Sequence, residues 1–420
     1  MNTKYAVSAA ALVCTATAFG SVMERDRGIH IGERMTLRPY VTMSYVYDSN
    51  VDSGRHSKAG SQWSVNPGLT LDCLGDNWKL DAKLFYRYHA YNRYTSQLNQ
   101  SSYGESLNFS WADSESGEPG WTVSFGETFE QIAQDDDMSG RNGRGLGRDR
   151  KMFRAKGAVE RRVNEYLHMG VSGNYYLLDY DNNVEKYMPL YGWKTASVGA
   201  DAGYVHSRWL DLIVSGDYQW YWQDNDRDLG SRSASRRGRH VSSDSKGYTL
   251  LAGVGSRAGD KLTYRLMTGW SHFEYGSGTK DCDGWVYRVN ASWQTDAENT
   301  LRLMADGSSY YQPGEREYGS ALKVYTASFG LAKSIVRCNL SATADLAYRK
   351  ETHEYVEYKQ DDYDEDIWTA RVGLNYRLYR FFSIFGRIEY QTEMCTGGSI
   401  RGNAYDYDRW RGTVGVTLDY

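Results

Sequence analysis

Apolar and polar residues alternate along the C-terminal stretch from Arg409 to Tyr420. Strict alternation gives a β-strand with one apolar face and one polar face. An aromatic residue lies near each end of the apolar parity, and the polar parity carries two arginines. The apolar parity holds Trp410, Gly412, Val414, Val416, Leu418 and Tyr420, and the polar parity holds Arg409, Arg411, Thr413, Gly415, Thr417 and Asp419.

The same alternation recurs along the chain and predicts eighteen strands, each bounded to within about 2–4 residues. In the segment 366–378, for example, Trp368 and Val372 share one parity while Thr369 and Arg371 share the other. The predicted strands are 35–48, 62–73, 77–90, 102–112, 121–132, 151–163, 166–179, 191–205, 208–222, 246–256, 261–275, 284–295, 299–311, 318–333, 338–350, 366–378, 381–393 and 405–420.

Short and long connections alternate between most of these strands. Tight turns such as 74–76 and 379–380 contrast with long charged or glycine-rich connections such as 49–61, 133–150 and 223–245. Outer-membrane barrels keep short turns at the periplasmic rim and long loops at the outer rim. The pattern therefore predicts an all-β fold: a closed up-and-down antiparallel transmembrane β-barrel of about 18 strands, with 16 as the main alternative.

A soluble β-sandwich or propeller would bury its apolar parity in an aliphatic core. Here that parity often ends in Tyr or Trp, which is typical of the aromatic girdles at a membrane interface. Two prolines, Pro39 and Pro67, fall inside the first two predicted strands, so we expect a bulge there or one misassigned strand. The girdle candidates are Trp78, Trp220, Trp222, Trp368, Tyr376, Trp410 and Tyr420.

Composition agrees with this interpretation. The chain has 36 Tyr and 43 Gly but only 5 Pro, and tyrosine favours strands and interfaces. No run approaches the roughly 18 apolar residues of a transmembrane helix, which excludes a helical membrane protein. The net charge of −4 gives no reason to expect a nucleic-acid partner.

The N-terminus has the features of an export signal. Lys4 supplies the positive start, 6–13 is largely apolar, and Ala18-Phe19-Gly20 is a small-x-small cleavage site. We expect a signal peptide at 1–20, a short periplasmic segment at 21–34 and an outer-membrane barrel at 35–420. In the mature chain, the four cysteines lack metal-site spacing and are expected to be isolated thiols, or to include one disulfide between Cys282 and Cys395; they are Cys73, Cys282, Cys338 and Cys395.

The stretch Tyr45-Val46-Tyr47-Asp48-Ser49-Asn50-Val51 resembles the Tyr-x-Asp-x-Asn end of the first strand in the outer-membrane β-barrel porin family. The strand ending in Tyr420 resembles the terminal aromatic signal that the barrel-assembly machinery recognises. The resemblance implies an outer-membrane location, and some relatives are linked to exopolysaccharide export. We expect outer-membrane lipid and lipopolysaccharide, the barrel-assembly machinery and, from the link of some relatives, exopolysaccharide export partners as partners, and we expect no cofactor.

A barrel of this size leaves an aqueous lumen, with a backbone cylinder about 35 Å across. Basic residues outnumber acidic ones on the parity predicted to face it. We therefore expect a channel for hydrophilic solutes that favours anionic or saccharide solutes; the alternative is that these charges pair across strands and only stiffen the wall. The lumen-lining candidates are Lys79, Lys83, Arg87, Arg154, Lys156, Arg265, Arg288, Arg371, Arg377, Arg387, Arg409 and Arg411.

Other classes of function find weaker support in the sequence. Two arginine-rich loops, within 133–150 and 223–245, would constrict the lumen, bind lipopolysaccharide phosphate or remain solvated. The acidic run 361–366 lacks the spacing of a helix-loop-helix calcium loop. His89, His168 and His272 have no recognisable serine and acid partners, so an outer-membrane lipase or protease is not expected. A non-conducting structural or adhesive barrel is a further alternative.

Overall fold

The computed structural model describes most of the chain after residue 27 as β-strand. Within the described part, no helix is long and apolar enough to cross a membrane. The predicted signal peptide, 1–20, lies outside the described residues, as does 21–27. The described ranges are 28–50, 59–92, 99–113, 118–135, 148–180, 192–207, 209–223, 244–256, 261–275, 281–295, 301–313, 320–335, 339–355, 363–397 and 406–420.

The strands follow one another around a single sheet. They are β1 (Ile29–Ile31), β2 (Met35–Asp48), β3 (Gly60–Leu74), β4 (Trp78–Tyr91), β5 (Gln100–Ala112), β6 (Gly120–Asp135), β7 (Arg148–Arg162), β8 (Leu167–Tyr180), β9 (Trp193–Ser207), β10 (Leu210–Gln223), β11 (Ser245–Ser256), β12 (Leu262–Tyr275), β13 (Cys282–Gln294), β14 (Leu301–Pro313), β15 (Ser320–Ile335), β16 (Leu340–Tyr355), β17 (Tyr363–Tyr379), β18 (Phe382–Gly397) and β19 (Tyr407–Asp419).

From β2 to β19, each strand pairs antiparallel with the next, and β19 pairs with β2 from Arg411–Asp48 to Asp419–Tyr40. This closes a ring of eighteen strands, which confirms the predicted barrel and its strand number; the sixteen-strand alternative is wrong. Closure pairs the backbone groups of the first and last strands, which would otherwise be open edges.

Connections of different length emerge at the two rims of the barrel. Turns such as 75–77, 163–166 and 380–381 join strands at one rim, which we call the short-turn rim. Longer connections such as 136–147 and 224–244 join them at the other, the long-loop rim. β2 begins and β19 ends at the short-turn rim, as an even strand number requires.

Alternation gives the barrel wall two faces. The apolar face exposes large hydrophobic side chains at mid-strand, such as Leu250, Val372, Ile388 and Val414. Ring pairs follow this face towards the long-loop rim, with centroids 5.0 Å apart for Tyr45–Trp63 and 4.6 Å apart for both Tyr348–Trp368 and Tyr390–Trp410. The opposite face, called the polar face below, carries most of the charged residues. An apolar band edged by aromatic rings is the surface that lipid requires.

Both prolines lie within regular strands, so the expected bulge or misassignment is wrong. The edge along which β19 meets β2 is called the seam below. On this side, the Pro39 carbonyl oxygen accepts a hydrogen bond from the Tyr420 nitrogen at 3.0 Å. Its missing N–H therefore falls opposite the last residue of the chain, where the ladder ends in any case. Pro67 lies where the β3–β4 pairing is interrupted between Val65 and Gly68, and the register resumes unchanged.

Glycines on the polar face receive aromatic rings from the neighbouring strand. Tyr40 pairs with Gly68 and its ring occupies the space that a Gly68 Cβ would need. Phe385 lies over its partner Gly415 in the same way, 2.5 Å from an added Cβ. These close approaches require glycine at those positions, which gives one physical reason for the high glycine content.

The short strand β1 pairs with the start of β2, which β19 does not reach. It pairs with β2 from Ile29–Leu37 to Ile31–Met35, next to the part of β2 that lies beyond the end of β19. The described part of the expected periplasmic segment, 28–34, thus contains the strand β1, which covers an otherwise open edge of β2.

Candidate solute pathway

A chain of charged side chains crosses five neighbouring strands on the polar face. Arg371 on β17 lies 3.7 Å from Asp345 on β16 and donates from Nε to Glu389 on β18 at 2.6 Å. Arg411 on β19 lies 3.7 Å from Glu389 and 3.2 Å from Asp48 on β2. This row of charged side chains therefore continues across the seam between β19 and β2.

Asp48 is the most heavily bonded carboxylate of this group. Arg409 donates from Nε to both of its oxygens at 3.0 Å and from Nη2 at 2.5 Å. The backbone nitrogen of Asn50 also donates to it at 3.0 Å. Asp48 was not among the residues predicted to face the lumen, although its parity along β2 relative to Arg38 would have identified it.

A second set of charged residues lies on β2 to β6. Arg38 pairs with Asp72, Lys79 with Asp81 at 3.0 Å, and Arg87 with Glu130 at 3.2 Å. The last pair spans two strands, because Arg87 is on β4 and Glu130 is on β6. The wall is thus braced by charge pairs on both sides of the seam.

Other basic candidates contact rings or neutral groups. Lys83 Nζ lies 5.3 Å from the Tyr40 ring centroid, and the Arg154 guanidinium lies 5.4 Å from that of Tyr176. Such contacts attract a cation but leave its charge uncompensated. The remaining candidates lie on the same face of β7, β12, β13, β17 and β18; they are Lys156, Arg265, Arg288, Arg377 and Arg387.

All seven girdle candidates lie on the apolar face. Tyr420 stacks on Phe381 with centroids 5.1 Å apart, and Trp220 contacts Tyr218 at 4.6 Å. Two groups can be distinguished by height along the barrel. Trp78, Tyr376 and Tyr420 are near the short-turn rim, whereas Trp220, Trp222, Trp368 and Trp410 are nearer the long-loop rim.

The acidic run does not form one cluster where it is described. Asp364 pairs with Lys350 at 2.8 Å on the apolar face, and Asp366 accepts from Tyr348 there. Glu365 is buried on the polar face, where its carboxylate lies within 4.8 Å of the ligand atoms of Glu393 and Cys395. Asp361 and Asp362 lie outside the described residues.

The described cysteines are isolated thiols, which was the main expectation, and Ser271 and His272 do not face each other. Cys282 and Cys395 are buried thiols, as is Cys73, so the Cys282–Cys395 disulfide is wrong. Ser271 and His272 alternate in β12, so Ser271 contacts Thr249 on the polar face while His272 lies beside Tyr248 on the other face. Most of the arginine-rich loops lies outside the described residues.

A closed antiparallel barrel with an apolar outer surface is the form in which a β-sheet can span a membrane, because every strand edge is paired. The fold and its faces therefore define an outer-membrane β-barrel. Residues 231–420 match the model of the family described as Putative beta-barrel porin 2, in agreement with the resemblance found in the sequence. Comparison with curated proteins found no match.

Several solved structures are similar to the chain at low sequence identity. The siderophore receptor PirA from Acinetobacter baumannii has 8% identity and a TM-score of 0.46, covering 93% of this chain and 81% of that one. The FrpB iron transporter from Neisseria meningitidis has 9% identity and a TM-score of 0.46, covering 93% and 82%. The outer membrane protein opdK from Pseudomonas aeruginosa has 11% identity and a TM-score of 0.41, covering 91% and 99%.

Proposed function

We propose that the barrel is a passive channel for hydrophilic solutes, with the polar face lining an aqueous lumen and anionic solutes, including acidic sugars, favoured. A barrel of eighteen strands is wide enough to hold water. Guanidinium groups suit carboxylate and phosphate, since their planar N–H groups bind two oxygens at once. The proposal involves no catalytic step and no cofactor.

The observation that carries this proposal is a difference in exposure within the charge pairs. Side chains of Arg387 and Arg411 are 41% and 32% exposed, whereas those of their partners Glu389 and Asp48 are 7% and 10% exposed. A solute passing this wall therefore meets the cations first, although the charges are paired. Arg87 is likewise more exposed than its partner Glu130. In the pair of Arg371 with Asp345, the carboxylate is the more exposed group.

Charge selectivity in planar bilayers tests the proposal. The full-length protein should conduct, and its reversal potential in a KCl gradient should show preference for chloride. Arg387→Gln should reduce that preference, because Arg387, which lies 3.3 Å from Glu389, is more exposed than Arg371 and Arg411, the other cations paired with that carboxylate. Its partner Glu389 keeps Arg371 at 2.6 Å, so the barrel should still fold.

Arg161→Gln is the matched control, because it removes the same charge from the apolar face. The Arg161 guanidinium lies 4.8 Å from the Trp121 ring centroid and should not contact the lumen. Selectivity should be unchanged in this variant. A cation preference in the unmodified protein, or equal effects of the two substitutions, would refute the proposed anion pathway.

A further inference from the structure

Two neighbouring strands of the wall, β13 and β14, are paired over only part of their length. Their ladder runs from Arg288–Ser308 to Gln294–Arg302, and its seven residue pairs make it the shortest between neighbouring strands in the described barrel. Between this ladder and the long-loop rim, β13 still pairs with β12, and β14 still pairs with β15. Segments 282–287 and 309–313 thus face each other without a ladder, and we call the space between them the β13–β14 cleft.

Side chains cross this cleft where backbone bonds would otherwise run. The Tyr287 nitrogen donates to Ser309 Oγ at 3.0 Å, and the Tyr311 hydroxyl donates to the Asp283 carbonyl oxygen at 3.1 Å. At its lower end, the Tyr287 hydroxyl reaches past β14 to the Thr326 carbonyl oxygen on β15 at 3.4 Å. The two strands are therefore tied by side chains that rotation about χ angles can release.

Tyr311 passes through the cleft from one face of the wall to the other. By its position in β14, Tyr311 starts on the apolar face, where it pairs with Lys323. Lys323 Nζ lies 5.0 Å from the Tyr311 ring centroid. Its ring nevertheless packs against a cluster on the polar face, and its hydroxyl would lie 2.5 Å from a Cβ on Gly284. We call that cluster the inner apolar cluster; it consists of Ile213, Leu251, Met267 and Val286.

The inner apolar cluster is unusual for a wall that otherwise presents charge. Its four side chains are each less than 5% exposed, and Tyr311 is packed against them. On the outside, Trp285 and Trp270 make an edge-on ring pair at 5.8 Å, which sets the cleft at the level of an interfacial aromatic belt. Apolar surface therefore continues from one side of the wall to the other through the position of Tyr311.

We propose that the β13–β14 cleft is a lateral portal for a single-chain amphipathic carboxylate, with Tyr311 as its movable plug. The apolar chain would pass between the membrane and the inner apolar cluster when the Tyr311 ring rotates away. Arg288 at the base of the cleft and Lys323 at its outer side supply cations for the carboxylate. This route differs from the axial passage of hydrophilic solutes proposed above.

Removal of the plug tests the portal directly. In cells that carry the full chain in the outer membrane, Tyr311→Ala should increase the rate of uptake of a radiolabelled long-chain fatty acid several-fold. Tyr325→Ala is the matched control: its ring also lies beside Lys323, at 5.1 Å, but belongs to the fully paired strand β15. Equal uptake by the two variants would overturn the proposal.

A disulfide across the cleft provides the opposite test. Tyr287→Cys with Ser309→Cys should, once oxidised, lower fatty-acid uptake several-fold, and reduction should restore it. Val289→Cys with Gly307→Cys places the bond inside the existing ladder and should have no effect. KCl conductance should be unchanged by the bond in the cleft. If conductance and uptake fell together, the cleft would control the axial lumen, which would also refute a lateral route.

Discussion

Asp48 on β2 and Arg409 on β19 form a buried ion pair across the seam of the barrel, with Arg409 Nε 3.0 Å from both carboxylate oxygens. The two residues are 361 positions apart in the chain. Their pairing places a charge-assisted contact where the last strand to be synthesised must find the first. Seam closure is thus specified by side chains as well as by the backbone ladder.

Breaking this pair should destabilise the barrel. Asp48→Ala leaves Arg409 buried without its main carboxylate partner, and loss of one member of a buried pair typically costs about 3–5 kcal/mol. We expect a lower free energy of unfolding, measured by urea titration of the protein in lipid vesicles. Asp364→Ala is the control, because its pair with Lys350 on the other face is about one-third exposed and should contribute less than about 1 kcal/mol. Equal losses in the two variants would contradict this role of the seam.

The orientation of the wall can be tested with one substitution at two neighbouring positions. Val414→Arg puts a charge on the apolar face at a residue 60% exposed, which should cost about 2–4 kcal/mol near the membrane centre. Thr413→Arg puts the same charge on the polar face at the same height. We expect poor folding into vesicles for Val414→Arg and near-normal folding for Thr413→Arg. The shift in gel mobility on heating measures the folded fraction of each. The reverse order would mean that the two faces are assigned wrongly.

Close strand packing predicts a large difference between two glycines. A Cβ on Gly269 would overlap the Leu250 carbonyl oxygen and lie 2.9 Å from the Leu251 Cα, so β11 and β12 would have to move apart. Gly412 has no atom within 4 Å of the same position. Gly269→Ala should cost about 1–3 kcal/mol of folding free energy, and Gly412→Ala should be nearly neutral. Chemical denaturation of both variants measures the difference, which would be absent if β11 adjusted freely.

The terminal aromatic residue should matter for assembly. Tyr420 stacks on Phe381 and its backbone nitrogen bonds to Pro39, and we propose that the barrel-assembly machinery recognises it. Tyr420→Ala should lower the amount of folded protein in the outer membrane several-fold in cells. Tyr379→Ala removes a more exposed aromatic side chain, 74% against 53%, at the same rim and should leave the amount unchanged. Unaided folding into vesicles separates recognition from stability, since only a stability defect would persist there.

Alternation along the chain determined the strands, the two faces of the wall and the even strand number. These properties are local, because a side chain's face depends only on its parity within its own strand. The terminal strand from Arg409 to Tyr420 illustrates this: its apolar parity from Trp410 to Leu418 forms the outer surface. The contrast between short and long connections likewise predicted the two rims.

Tertiary structure decided which strands meet and how far they pair. The sequence showed neither that Asp48 lies beside Arg409 nor that the end of β19 accommodates Pro39. The partial β13–β14 ladder and the passage of Tyr311 through it were equally absent from the pattern, because alternation describes one strand at a time. Register, seam and cleft depend on contacts between distant segments, and these exist only once the ring has closed.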